Sequence, residues 1–364
     1  MNNLDYRVLK KRYVGLDLLR TVSALVVCMF HTTIHLGCDY GPLQGFSQMG
    51  AVFMTVFFML SGFSLFVNWG GGSLTSISDM KKFWKKRFLG IMPMYWCVGL
   101  IYTIMQLFLH KETLLTSLIL FPIEFLGLQS VFSSLFGYSH NSGTWFISCI
   151  MICYIAYPFL QEFVKSITKK CRVLLLVLSS VILLYAPIVV HVLELSNVYS
   201  NPFFRLLEFL IGIILAAMKV DFSESKFVKK ILCSWWMITG VGLLMIAAVS
   251  VAVKLNIGLG NYMLYSWICL PCFMLILIGL SGVESRLLEK SKVLKWLSSI
   301  TYVFFLAQLF SNSVSKKIIN LAGIDSNIIK IFLGWGVCFA IAMILRLIEI
   351  RIKKFHTRTI SDKS

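Results

Sequence analysis

Apolar residues run through this chain in blocks of about twenty, and charged residues collect in the short stretches between them. The blocks fall at 15–36, 46–68, 88–109, 145–163, 173–193, 203–218, 231–253, 262–281, 296–314 and 328–349. A helix of about twenty residues spans about 30 Å, the thickness of a bilayer's hydrocarbon core. Apolarity within the blocks is continuous, so the alternating segments of a membrane β-barrel are missing. The pattern predicts an all-α polytopic membrane protein with about ten transmembrane helices. One further apolar stretch, TLLTSLILFPIEFLGLQSVFSSLF at 113–136, is interrupted by Pro122 and Glu124.

Charge decides how that stretch is read. With the N-terminus inside, the basic groups at 7–12, 81–87, 165–172, 219–230, 286–295 and 346–363 all fall on the cytoplasmic side. Only Lys111, Lys254, Lys316, Lys317 and Lys330 remain outside. Such asymmetry is the usual bias of cytoplasmic loops toward Lys and Arg. Making 113–136 a full span would invert one half of the chain and destroy the asymmetry. The segment is therefore expected to be interfacial or re-entrant, and both termini are expected in the cytoplasm. Blocks and loops account for the whole chain, so residues 1–364 are expected to form a single membrane-embedded domain.

Composition removes other classes. At 58% hydrophobic and 14% charged residues, with mean hydropathy +0.83, the chain is far from a soluble domain, where about a quarter of residues are charged. The net charge of +18 lies in the inter-block loops, with no nucleic-acid-binding module around it, so no nucleic-acid partner is expected. Of ten cysteines only Cys38 falls in an outside loop, which leaves it without an outside partner and argues against a disulfide framework. The first block is too long for a signal-peptide core, carries Arg20 and lacks a small-residue cleavage site, so it is expected to remain as the first span.

That first span, LDLLRTVSALVVCMFH at 16–31, holds the candidate chemistry. Arg20 and His31 are eleven residues apart, about 16 Å along the axis and close to three full turns. Both side chains thus point to nearly one face, Arg20 near the inner surface and His31 in the outer half of the membrane. Ionisable residues at such depth cost several kcal/mol unless they face a polar cavity or a partner. The alternative is that Arg20 snorkels or pairs with Asp17 and that His31 is a neutral, hydrogen-bonded packing residue.

Three further stretches carry signals with bland counterparts. FFMLSGFSL at 57–65 puts Ser61 and Gly62 in the second span, where small residues also serve close helix approach. KKFWKKRFLGIMPMYW at 81–96 leads into the third span, where basic residues also act as inside anchors. NSGTWFISCIMICYIAYP at 141–158 opens the fourth, and its aromatics also suit an interfacial belt.

In their order along the chain these stretches resemble the acyltransferase-3 family of integral membrane acyltransferases. Arg20 and His31 resemble its Arg, ten residues, His motif, and Phe57, Phe58, Ser61, Gly62 and Phe63 its FFxxSGF stretch. Lys86, Arg87, Ile91, Pro93 and Tyr95 resemble its RRxxRIxPxY motif, with Gly90 at the last basic position. Trp145, Tyr154 and Pro158 match its W…Y…P span, without the glutamate many members carry there. FRLLEFLIGIILA at 204–216 resembles a later span, and SITYVFFLAQ at 299–308 resembles its SYxxYLxH segment with Gln308 in place of the histidine.

The resemblance implies a membrane O-acyltransferase that moves an acyl group, most commonly acetyl from cytoplasmic acetyl-CoA, to a hydroxyl of a cell-surface or lipid-linked glycan. It implies acyl-CoA, a glycan acceptor and membrane lipid as partners, no metal, and a bacterial inner or plasma membrane. Arg20 and His31 are the expected catalytic residues. Arg20, Ser61, Lys85, Lys86 and Arg87 are expected to hold the donor, the basic ones by charge-assisted hydrogen bonds to its phosphates. His31 acts either as general base on the acceptor hydroxyl or as a transiently acylated nucleophile. The competing function is a glycan or small-solute carrier or flippase using the same polar path, although the inverted repeats usual in transporters are not visible.

Overall fold

The computed structural model describes residues 12–108, 113–131, 144–192, 199–222, 230–256 and 266–361. The expected spans at 88–109, 173–193 and 262–281 and the segment 113–136 each run slightly beyond those limits. Arg7, Lys10, Lys11, Lys111, Lys226, Lys229 and Lys363 also lie outside the described residues.

Among the described residues every regular element is a helix. In chain order they are α1 (Val14–Leu36), α2 (Gln44–Gln48), α3 (Met54–Trp69), α4 (Ile77–Phe108), α5 (Leu114–Leu126), α6 (Trp145–Ser166) and α7 (Lys169–Val192). There follow α8 (Pro202–Phe222), α9 (Trp235–Lys254), α10 (Ser266–Gly282), α11 (Arg286–Lys290), α12 (Lys292–Ala322) and α13 (Asn327–Ser361). Seven helical stretches among the described residues are long and apolar enough to cross a membrane: Val14–Leu36, Gly50–Trp69, Ile77–Phe108, Trp145–Ser166, Trp235–Lys254, Lys292–Ala322 and Asn327–Lys353. The protein is an all-α, polytopic membrane protein.

Local chemistry sets the helix ends. Gly37 closes α1 in the left-handed conformation (φ 67°), where a side chain would be strained, and its N–H reaches the Thr32 carbonyl. Ser234, Ser285 and Ser291 cap the starts of α9, α11 and α12 by accepting a backbone N–H each. Thr113 and Gly127 bracket α5 in the same way. With 13 residues α5 is about 20 Å long, short of the hydrocarbon thickness. Its Leu114, Leu115, Leu118 and Ile119 are exposed, as lipid-facing residues are.

Contacts between helix ends sort them into two sets. Lys219 at the end of α8 bonds the Ser281 carbonyl at the end of α10 and lies 3.8 Å over the Tyr13 ring before α1. Asp17 near the start of α1 accepts from Ser298 near the start of α12. Glu162, near the end of α6, accepts from the Leu74 N–H in the α3–α4 loop. This basic end of the molecule holds the stretches at 81–87, 165–172 and 286–295. At the far end, Asp39 after α1 pairs with Asn327 at the start of α13, and Cys149 of α6 reaches the Ser200 carbonyl before α8. The far half of α4 and the start of α6 are bridged through α5, since Tyr95 bonds the Glu124 carbonyl and Gln129 bonds Thr144.

The core is built on the crossing of α3 with α8. A Cβ on Gly62 would lie 2.0 Å from the Phe209 carbonyl oxygen, and one on Gly212 2.0 Å from that of Met59. Two reciprocal glycines therefore allow backbone-to-backbone contact, the packing role that small residues play between membrane helices. Beside this crossing Arg205 is fully buried yet fully engaged. Its Nη1 donates to both Glu208 oxygens at 2.8 Å, and its Nε and Nη2 donate to the Tyr199 carbonyl. The guanidinium also lies over the rings of Phe58, Trp145 and Tyr199 at 5.6, 5.2 and 5.1 Å. Thr55 completes the set by donating to Glu208 at 2.8 Å.

Candidate active site

A cavity of about 350 Å³ opens among α1, α3, α4, α6, α12 and α13 in the basic half of the molecule. Arg20 and Arg87 both line it, from different helices, together with Ser61, Asn68, Tyr154 and Glu349. Arg20 is held at the mouth by Asp17, 3.6 Å away. Asp17 is itself fixed by Arg12 (2.7 Å) and by the Ser298 hydroxyl (2.8 Å). Pairing with Asp17 and facing a cavity are thus both true of Arg20, because the carboxylate orients the guanidinium without enclosing it.

Of the three consecutive basic residues on α4 only Arg87 lines the cavity. Successive helical residues point about 100° apart, so one can face inward while its neighbours cannot. Lys85 is exposed, and Lys86 lies 5.4 Å over the Trp69 ring. Arg87 rests over Phe83 at 5.6 Å, and its buried Nε has no hydrogen-bond partner among the described residues. Ser61 donates to the Tyr154 hydroxyl at 3.2 Å, while its neighbour Gly62 serves the helix crossing. Gly90 also lines the cavity, and a Cβ there would meet nothing within 4 Å.

Sequence reasoning passed over Glu349, Asn68 and Ser298, which share this cavity with Tyr302 of the SITYVFFLAQ stretch. Glu349 left a signal, being an acid set within the last apolar block, where an ionisable residue is a site candidate by default. It is buried and bonded by Arg346 and by Lys353 (2.6 Å). Asn68 and Ser298 left none, since nothing in their local sequence separates them from surface or packing residues.

His31 does not line this cavity. Phe57, Phe146 and Phe305 line it, and their rings pack with centroids 6.4 Å (Phe57–Phe146) and 5.2 Å (Phe146–Phe305) apart. His31 stacks on His35 one turn further along α1, with ring centroids 5.6 Å apart and planes 14° from parallel. Its Nδ1 is buried without a hydrogen-bond partner among the described residues. His35 was not anticipated, although its spacing of four from His31 puts both on one face. Arg20, Ala24 and His31 also share a face, and Gln308 of α12 donates to the Ala24 carbonyl at 3.3 Å. The face carrying both candidate residues is therefore turned toward α12.

Among the described residues no group of three or more His, Cys, Asp or Glu is placed to hold a metal ion. All ten cysteines are free thiols. Cys38, in the loop after α1, is buried, and burial pushes its thiol up to about 11 against the opposing pull of Lys330. A thiol held protonated is a poor nucleophile.

Comparison with known proteins adds one match. A family model described as an acyltransferase domain matches residues 13–347, which is nearly the whole chain. No curated protein and no solved structure matches it.

Proposed function

The chain belongs to the acyltransferase-3 family, and from that premise we propose that it is an O-acetyltransferase. It takes acetyl from cytoplasmic acetyl-CoA, works as one membrane-embedded domain over residues 1–364 in a bacterial plasma membrane, and delivers the acetyl group to a cell-surface or lipid-linked glycan. One observation carries the reading. Arg20 and Arg87 converge from two helices on a cavity at the basic end, and His31 stands on the Arg20 face of α1 at the other side of the membrane.

Two guanidiniums in a half-enclosed cavity suit the phosphates of a polyanionic donor better than isolated lysines do. Lys85 and Lys86, outside the cavity wall, contribute attraction at the mouth, and Ser61 lines the path of the pantetheine arm. The thioester then has to pass the Phe57, Phe146 and Phe305 rings to reach His31. There the acceptor hydroxyl gives its proton to a ring nitrogen of His31 as its oxygen bonds to the thioester carbonyl carbon. The carbon–sulfur bond breaks, coenzyme A leaves as thiolate, and His31 returns the proton to that sulfur. If His31 is instead acylated first, the same atoms move in two steps through an acetyl-histidine.

Calorimetry of acetyl-CoA binding to the purified protein tests the reading. Wild type should bind, and Arg20→Ala should weaken binding about tenfold, the value of one charge-assisted contact. His31→Ala should bind like wild type yet release coenzyme A about 10²–10⁴ times more slowly. A wild-type protein that ignores acetyl-CoA at millimolar concentration overturns the donor assignment.

A further inference from the structure

The face that α12 turns to α1 is polar over about two turns, at Gln308, Asn312 and Ser315. Spacings of four and three keep these residues on one seam of a helix. Gln308 fixes the register, because it bonds the carbonyl of Ala24. Both helices run from the basic end to the far end, so equal steps reach equal heights. Seven residues beyond Ala24 stands His31, and seven beyond Gln308 stands Ser315, each about 10 Å further along. Asn312 lies one turn below that level.

Polar side chains between membrane helices ordinarily bond across the interface and hold the helices together. These do not. Asn312, 3% exposed, has neither its Nδ2 nor its Oδ1 bonded, and the Oγ of Ser315, 0% exposed, is likewise unpartnered among the described residues. The Gln308 Oε1 and the His31 Nδ1 add two more buried atoms in the same condition. Each such atom costs about 1–3 kcal/mol if it stays unbonded, and five of them border one seam.

Resting on the acyl-transfer reading, we infer that the seam of Gln308, Asn312 and Ser315 facing His31 is the acceptor subsite and that its ligand is a neutral polyol, a sugar face with adjacent hydroxyls. The amide of Asn312 offers two donors and an acceptor, and the Ser315 hydroxyl offers one donor and two acceptors. That inventory matches vicinal hydroxyls, each of which donates and accepts. It suits neither a phosphate, which calls for guanidinium or ammonium groups, nor an alkyl chain, which would leave every one of these atoms unbonded. Held between the seam and α1, one hydroxyl comes within reach of His31 while its neighbours are read by Asn312 and Ser315. These two are positioning residues for the acceptor.

The test uses full-length protein in lipid nanodiscs and follows coenzyme A release from acetyl-CoA with glycerol, glucose or N-acetylglucosamine added as probe. With wild type the sugars should accelerate release in a saturable way, and glycerol less so. Asn312→Leu, which keeps the volume and removes the amide, should raise the half-saturating sugar concentration about tenfold or more, with acetyl-CoA binding by calorimetry within twofold of wild type. Ser315→Ala provides the same readout with a smaller change should the leucine variant fail to fold. Release that no polyol accelerates, or a sugar dependence that neither variant alters, overturns the subsite while leaving acyl transfer standing. If wild type releases no coenzyme A under any condition, the acyl-transfer reading fails and the subsite falls with it.

Discussion

Two regions of this bundle bury polar groups in an apolar surrounding, and they treat them in opposite ways. Around Arg205 each charge is met: Glu208, the Tyr199 carbonyl, Thr55 and three aromatic faces enclose the guanidinium. Along the α1–α12 seam, His31, Gln308, Asn312 and Ser315 keep atoms without partners. On the proposed reading the contrast separates scaffold from site. A saturated network holds two helices in one geometry, whereas a seam that forgoes its own hydrogen bonds has capacity left for a ligand. Both regions look alike in sequence, as polar residues inside apolar blocks.

The contrast can be broken most forcefully at the scaffold. Gly212→Val places side-chain atoms inside the contact with the Met59 carbonyl and should abolish the monodisperse folded protein in size-exclusion chromatography. Arg205→Ala strands Glu208 in the core and should cost about 3–5 kcal/mol. Arg205→Met combined with Glu208→Leu should recover most of that loss in thermal unfolding. If Arg205→Ala unfolds no earlier than wild type, the network is not structural.

At the site the order of effects reverses, with activity lost and the fold kept. His31→Ala should reduce coenzyme A release by about 10²–10⁴, the range of a general base or acid, while the unfolding temperature moves little. Equal loss of stability and activity would make His31 a packing residue after all.

Smaller effects sharpen the inner half. Lys85→Ala should change acetyl-CoA affinity less than threefold, because Lys85 is exposed and screened. Gly90→Arg should tighten it severalfold, since a third guanidinium enters open space on the cavity wall. A larger effect at Lys85 than at Arg20 would move the donor to the surface.

The smallest expected signal is at Cys38. With its thiol pushed up to about 11 by burial, thiolate is scarce at pH 8. Its peptide should carry little iodoacetamide label by mass spectrometry until the pH passes about 10. Full labelling at pH 8 would show that the loop opens.

Much of the fold was legible because membrane helices announce themselves by length and apolarity, and hydrocarbon leaves few other structures available. Arg20 and His31 were legible for a related reason, since ionisable residues are conspicuous where water is absent. Asn312 and Ser315 were not, because Asn and Ser in a helix serve packing, capping or recognition equally well and only the partner decides. Lys85, Lys86 and Arg87 read as one basic mouth, yet a rotation of about 100° per residue lets only Arg87 into the cavity.

The sequence by itself thus determined the helical class, the sites of deep charge and the face shared by Arg20 and His31, since each follows from periodicity and solvation along one helix. Only the tertiary structure decided which helix meets that face, which aromatic rings line the inner cavity, and which buried polar atoms stay unpaired. Those depend on contacts between residues hundreds of positions apart. Hydrogen-bond satisfaction is a property of neighbours in space, and no local pattern records it.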